Sequence, residues 1–187
     1  MTPPATVSLL PFCEWLATTR GSIALHESLY AYPLVETLHV LSLMLFVGSI
    51  AFVDLRLLGR AFRALPVSQV TSRLLPFAIA GFALSAATGA LLFYAIPVRT
   101  YLSVFFRVKV IMLALAGLNA WLFRRRMRQG PPAWDADPRP PLWVRVSGGV
   151  SLFAWATVIV MGRMIAYNWF DCDKPQSDLV RWAAGCP

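Results

Sequence analysis

Residues 31–59 read AYPLVETLHVLSLMLFVGSIAFVDLRLLG, and this stretch decides the fold. From about Leu34 to Leu58 it is apolar enough to cross a ~30 Å hydrocarbon core, which takes about 20 helical residues. Pro33 stands just ahead of that span, where a proline suits the first helical turn because its missing N–H costs nothing there. Three further stretches of the same kind follow, at about 74–96, 104–123 and 142–166. The last contains the Gly148-Gly149 pair, expected to break it internally. Of the 187 residues, 58% are apolar and only 14% charged, which no ordinary soluble domain shows. Helices and closed barrels are the structures that satisfy backbone groups in lipid. The predicted fold is therefore an all-α membrane protein, a bundle of four transmembrane helices forming one domain over residues 1–187.

The placement of charge orients the bundle. Arg56, Arg60, Arg63 and Arg73 follow the first span, and Arg124, Arg125, Arg126, Arg128, Arg139 and Arg145 follow the third. Arg20, Arg99, Arg107, Lys109, Arg163, Lys174 and Arg181 belong to the opposite side. Positive residues favour the cytoplasm, so the expected location is a bacterial inner membrane with both termini periplasmic. The net charge of +8 thus reflects topology and not a nucleic-acid partner. The two hairpins formed around these basic loops have the same orientation, although their sequences hardly match.

Segment 1–33 lacks a basic region ahead of its apolar run and carries Glu14, so it does not read as a cleaved signal peptide. It is expected to form an interfacial helix or pair of helices, with Ser22 as an N-cap and Trp15, Tyr30 and Tyr32 at headgroup level. The stretch QGPPAWDADPRPP, residues 129–141, is so rich in proline that it reads as a flexible linker. All three cysteines, Cys13, Cys172 and Cys186, fall on the periplasmic side, where disulfides persist. A Cys172–Cys186 bridge would close a compact tail over residues 167–187. No C-x-x-C pair is present for thiol oxidation.

Candidate chemistry centres on His39, one of only two histidines. It lies about a turn and a half inside the first span, and Glu36 shares its helix face. Ionisable groups at such depth usually face the bundle interior or a water-filled cavity. Lys109 and Arg163 are expected at similar depth, giving a polar cluster of Glu36, His39, Lys109 and Arg163. The plain reading is an ion pair from Glu36 to one of these cations, with His39 bonded to a neighbouring helix. The sharper reading is haem b, held by His39 with Lys109, Arg163 or Arg107 toward its propionates. A second axial ligand would come from His26, Met161, Met164 or another copy's histidine. His26 lies ~20 Å away from His39 if one straight helix holds both. Copper is the competing ligand, through His39, Met161 and Met164. Gly81, Ser85 and Gly89 form a small-residue stripe, suited to packing within the bundle or to a homo-oligomer contact. Asn119, Ser85 and Thr88 offer interhelical hydrogen bonds, and Asp54 is expected to pair with Arg56 or a nearby arginine. No phosphate loop, H-E-x-x-H or nucleophile elbow occurs, which argues against hydrolytic or kinase chemistry.

The opening stretch, together with FRVKVIMLALAGLNAWLFRRR and GRMIAYNWFDCD, resembles an uncharacterised family of small bacterial inner-membrane proteins known only as a domain of unknown function. That resemblance implies a four-helix membrane fold and singles out Glu36, His39, Lys109, Asn119 and Arg163. The segment LHVLSLMLFVGS is also similar to the first helices of CopD-type copper-resistance proteins and small cytochrome b-like proteins. The expected function is a membrane redox subunit that holds haem b near the outer leaflet and relays electrons between a periplasmic partner and quinone. The alternatives are a copper or small-anion transport protein and a non-catalytic membrane scaffold.

Overall fold

The computed structural model describes residues 9–127, 132–167, 170, 172 and 174–186. Among them are eight helices: α1 (Leu10–Ala17), α2 (Arg20–His26), α3 (Ala31–Leu57), α4 (Val67–Ala95), α5 (Pro97–Tyr101), α6 (Val104–Arg126), α7 (Leu142–Met164) and α8 (Asp178–Ala184). No strand occurs among the described residues. Four helices, α3, α4, α6 and α7, are long and apolar enough to cross a membrane, compatible with a multi-pass membrane protein. Their shortest, at 23 residues, is about 35 Å long. α4 starts at Val67, seven residues ahead of Leu74, with Pro66 at its N-cap. α7 runs unbroken through Gly148 and Gly149, contrary to the expected interruption. A Cβ on Gly148 would lie 3.0 Å from the Asp54 carbonyl, so this glycine serves close approach to α3 and leaves the helix intact.

The long helices form an open arc in the order α4, α3, α7, α6, each packed against the next. No Cα of α4 comes within 8 Å of one of α6, so the two ends of the arc stand apart. The core is thin: Phe46, Ala78, Ala116, Ala154, Trp155 and Val158. Phe46 meets Trp155 edge to face at 4.5 Å between ring centroids, a favoured aromatic geometry. Large apolar side chains point outward instead, including Met44, Phe77, Ile111 and Phe153. Exposed apolar surface of this extent suits contact with a lipid bilayer.

The small-residue stripe lies inside the chain. A Cβ on Gly81 would come 2.7 Å from the Phe46 backbone nitrogen, and Ser85 is buried. A Cβ on Gly89 would come 3.1 Å from His39 Cε1. Gly81, Ser85 and Gly89 therefore bring α3 and α4 together, and the homo-oligomer contact drawn from them is corrected: this face is already occupied.

At one end of the arc, hereafter the arginine end, α3 hands over to α4 and α6 to α7. Arg56 is fully buried there, donating from Nε to the Leu65 carbonyl at 2.7 Å and from Nη2 to the Asp137 carbonyl at 3.0 Å. Asp135 accepts from Ser68 N at 2.8 Å, satisfying a free N–H in the first turn of α4. Trp134 packs edge-on against Trp143. The proline-rich segment, in its described part from residue 132, is thus an ordered strap and not the flexible linker expected. Its prolines limit the backbone while Asp135 and the buried guanidinium fasten it.

The opposite end carries α1, α2, α5, α8 and a Cys172–Cys186 disulfide, with Cα atoms 5.5 Å apart. The N-terminal segment is a pair of short helices. Thr19, not Ser22, caps α2, accepting from Ser22 N at 3.4 Å. The Ser22 hydroxyl instead donates to the Tyr94 carbonyl at 2.7 Å, pinning α2 to the last turn of α4. Cys13 is a buried free thiol, and burial, followed by the neighbouring Glu14 charge, pushes its pKa up.

Candidate functional site

Because α4 and α6 stand apart, the arc encloses a cavity of about 880 Å³, bounded by all four long helices. Its walls extend from Phe106 to Met127 along α6, about 32 Å at 1.5 Å per residue. Near the disulfide end the stacked rings of Phe93 and Phe106, 5.5 Å apart, bring the α4 and α6 side chains together. The lining is mostly apolar, with polar groups confined to particular levels.

One level lies toward the disulfide end and holds His39 and Lys109. His39 projects from α3, eight residues past its start at Ala31, a depth of about 12 Å. Its Nδ1 lies 3.0 Å from the Thr88 hydroxyl of α4. That hydroxyl also lies 2.7 Å from the Leu84 carbonyl, and when it donates there it accepts from His39 Nδ1–H. In that tautomer Nε2 carries the lone pair. The bare face of Gly89 leaves room for the ring, so the α3–α4 packing that seats His39 also sets its depth. Lys109 enters from α6, and a Cβ on Gly162 of α7 would lie 3.4 Å from its Nζ. The level therefore offers one hydrogen-bond acceptor and one cationic donor.

Of the residues predicted to share this site, His39 and Lys109 meet at the cavity, while the others are placed elsewhere. Glu36 is exposed on α3 and outside the lining. Arg163 is exposed and stacks over Tyr167 at 5.5 Å. Arg107 stacks over Tyr101 at 5.5 Å. His26 is exposed on α2, edge-on to Tyr32. Met161 and Met164 are half-buried on α7 but do not line the cavity.

Two other polar levels lie deeper. Asn119 of α6 and Ser147 of α7 form a reciprocal clasp: Asn119 Nδ2 donates to the Ser147 carbonyl at 3.1 Å, and the Ser147 hydroxyl donates to Asn119 Oδ1 at 3.0 Å. Nearer the arginine end, Asp54 lines the cavity at 3% exposure. Its Oδ2 has no hydrogen-bond partner. The expected pairing with Arg56 is corrected, since residues two apart on a helix do not face each other and Arg56 donates instead to the Leu65 carbonyl and to the strap carbonyls of Asp135 and Asp137. Sequence alone suggested a routine ion pair; only the fold turns this carboxyl into the cavity.

A donor set for a metal is sparse. Among the described residues no three His, Cys, Asp or Glu side chains group together. His39 is the single imidazole in the cavity lining, and His26, Met161 and Met164 lie outside it.

No curated protein and no solved structure matches this chain. The profile of one protein family covers residues 12–168, which include all four long helices and every cavity residue named above. The chain belongs to that family, a family of unknown function (DUF6644).

Proposed function

We propose that this protein is a redox-linked membrane subunit whose cavity takes a quinone or quinol from the bilayer. One observation carries the reading: a membrane-length, mostly apolar cleft between helices α4 and α6, whose backbones stand apart, is lined toward one end by His39 and Lys109. A mostly apolar cleft inside a lipid-facing bundle suits hydrophobic molecules. Its length suits a tail, and its few polar atoms suit a small head. Quinones combine these properties, with carbonyl oxygens to accept from Lys109 and, when reduced, a hydroxyl to donate to His39 Nε2. Ligand sites of this kind are mostly apolar with a few placed polar groups.

The residues have separable parts in this scheme. Lys109 fixes the head by a charge-assisted hydrogen bond. His39 holds it from the other side and, when the bound molecule is a quinol giving up two electrons to a redox protein at the disulfide end, takes one of the two released protons, the other passing to water at that end. Thr88 and Gly89 set the imidazole's tautomer and position. In this proposal the disulfide end is periplasmic and the arginine end cytoplasmic in a bacterial inner membrane, supported by loop arginines and by the three cysteines on one side.

A haem b bound through His39 on one face only is the second reading, favoured by the way Thr88 presents Nε2, an arrangement common for ligating histidines. Organic extraction of purified protein separates the two readings. The quinone reading expects a stoichiometric quinone that is lost in His39→Ala; a Soret band dependent on His39, with no quinone, would replace it by the haem reading.

A further inference from the structure

We infer that Asp54 is a proton-binding site at the arginine end of the cavity, separate from the His39 level and independent of what occupies it. Fifteen residues separate Asp54 from His39 on one helix, about 22 Å, so the two groups serve different ends of the cleft. The carboxyl is 3% exposed, lines the cavity, and leaves Oδ2 without a hydrogen-bond partner.

The neighbours leave no alternative occupant. On α7 the uncharged Ser151 lines the cavity beside Asp54, and Gly148 packs against the Asp54 carbonyl. On α3 the nearest cation, Arg56, two residues along the helix, donates from Nε and Nη2 to the Leu65, Asp135 and Asp137 carbonyls, and its Nη1, itself buried without a partner, makes no bond to the carboxyl. From α4 the lining supplies Ser68, Thr71 and Ser72, which carry no charge, and Ser68 is engaged by Asp135. From α6 it supplies Asn119, tied to Ser147, and Arg124, the one basic side chain lining this end. No hydrogen bond from Arg124 satisfies Oδ2. An ionised carboxylate left unpaired in a low-dielectric interior is unstable relative to its occupied form. Among the described residues no second carboxylate, imidazole or thiolate joins Asp54 in a group that could hold a metal cation. The occupant that fits is a proton: Oδ2 takes H⁺ from water, becomes O–H, and can donate into the cavity.

Infrared difference spectroscopy on the purified full-length chain, with and without an added short-tailed alkyl benzoquinone, tests this assignment. The wild type is expected to show a protonated-carboxyl C=O band that bleaches as pH rises and shifts in heavy water. Asp54→Asn should lose that band, Asp178→Asn at the far end should retain it, and Asp54→Glu should retain it at a displaced frequency. The band should be present without the quinone, so failure of quinone binding leaves this assignment standing. A wild-type spectrum identical to that of folded Asp54→Asn overturns it; if Asp54→Asn does not fold, a band unmoved in Asp54→Glu overturns it equally.

Discussion

Replacing Gly81 by alanine tests whether the α3–α4 seam sets both stability and site geometry. The added Cβ would stand 2.7 Å from the Phe46 backbone nitrogen and 3.0 Å from its Cα, atoms that no rotamer change can withdraw. Ordinary contact begins near 3.4 Å, so the helices must part by about 0.7 Å at that point. Overpacking of this kind costs about 1–3 kcal/mol. Gly48 is the control, since a Cβ there meets nothing within 4 Å and reports only the helix-propensity gain. The difference between Gly48→Ala and Gly81→Ala in thermal unfolding isolates the clash, at about 2–4 °C for each kcal/mol in a chain of this size. The same displacement carried along the seam would stretch the 3.0 Å His39–Thr88 bond beyond hydrogen-bonding reach, so quinone affinity should fall with stability. Equal melting of the two variants would refute the close-packed seam.

Other perturbations give distinct outcomes. Arg56→Met leaves the Leu65, Asp135 and Asp137 carbonyls without their donor and should destabilise by about 3 kcal/mol or more, with protease cutting appearing in the strap. A double-mutant cycle between Asn119→Leu and Ser147→Ala should give a coupling of about 0.6 kcal/mol, as is typical of interhelical hydrogen bonds in membranes, measured by unfolding in detergent. Reducing the Cys172–Cys186 bridge, which spans a sequence separation of 14, should release the tail and speed its proteolysis while leaving the helical circular-dichroism signal in place. Cys13, at 1% exposure, should resist a water-soluble thiol reagent in the native state and react on unfolding.

The long helices were legible because span length and apolar composition are local properties, and the arginine blocks marked where they end. His39 stood out for a similar reason: one imidazole deep in an apolar helix needs no tertiary information to notice. Its companions did need it. Lys109 and Arg163 lie at comparable depth, yet only Lys109 rotates into the cleft, and helix rotation depends on neighbours such as Gly162. Asp54 was misjudged because a charge close to a helix end normally finds an arginine, whereas Arg56 is drawn into the strap. The strap itself was hidden behind its prolines, since its order comes from Asp135 bonding to α4, 67 residues away in sequence. The gap between α4 and α6 leaves no trace in either helix alone.

The most direct measurement titrates purified protein in lipid nanodiscs with a short-tailed alkyl benzoquinone and follows quenching of Trp155, which lines the cavity. Subtracting the signal of Trp155→Phe isolates that indole from the other tryptophans. The account predicts saturable quenching at one quinone per chain, weakened at least about tenfold in His39→Ala and in Lys109→Met, about 1.4 kcal/mol or more for each contact. Quenching that never saturates, or that saturates equally in both variants, would contradict it.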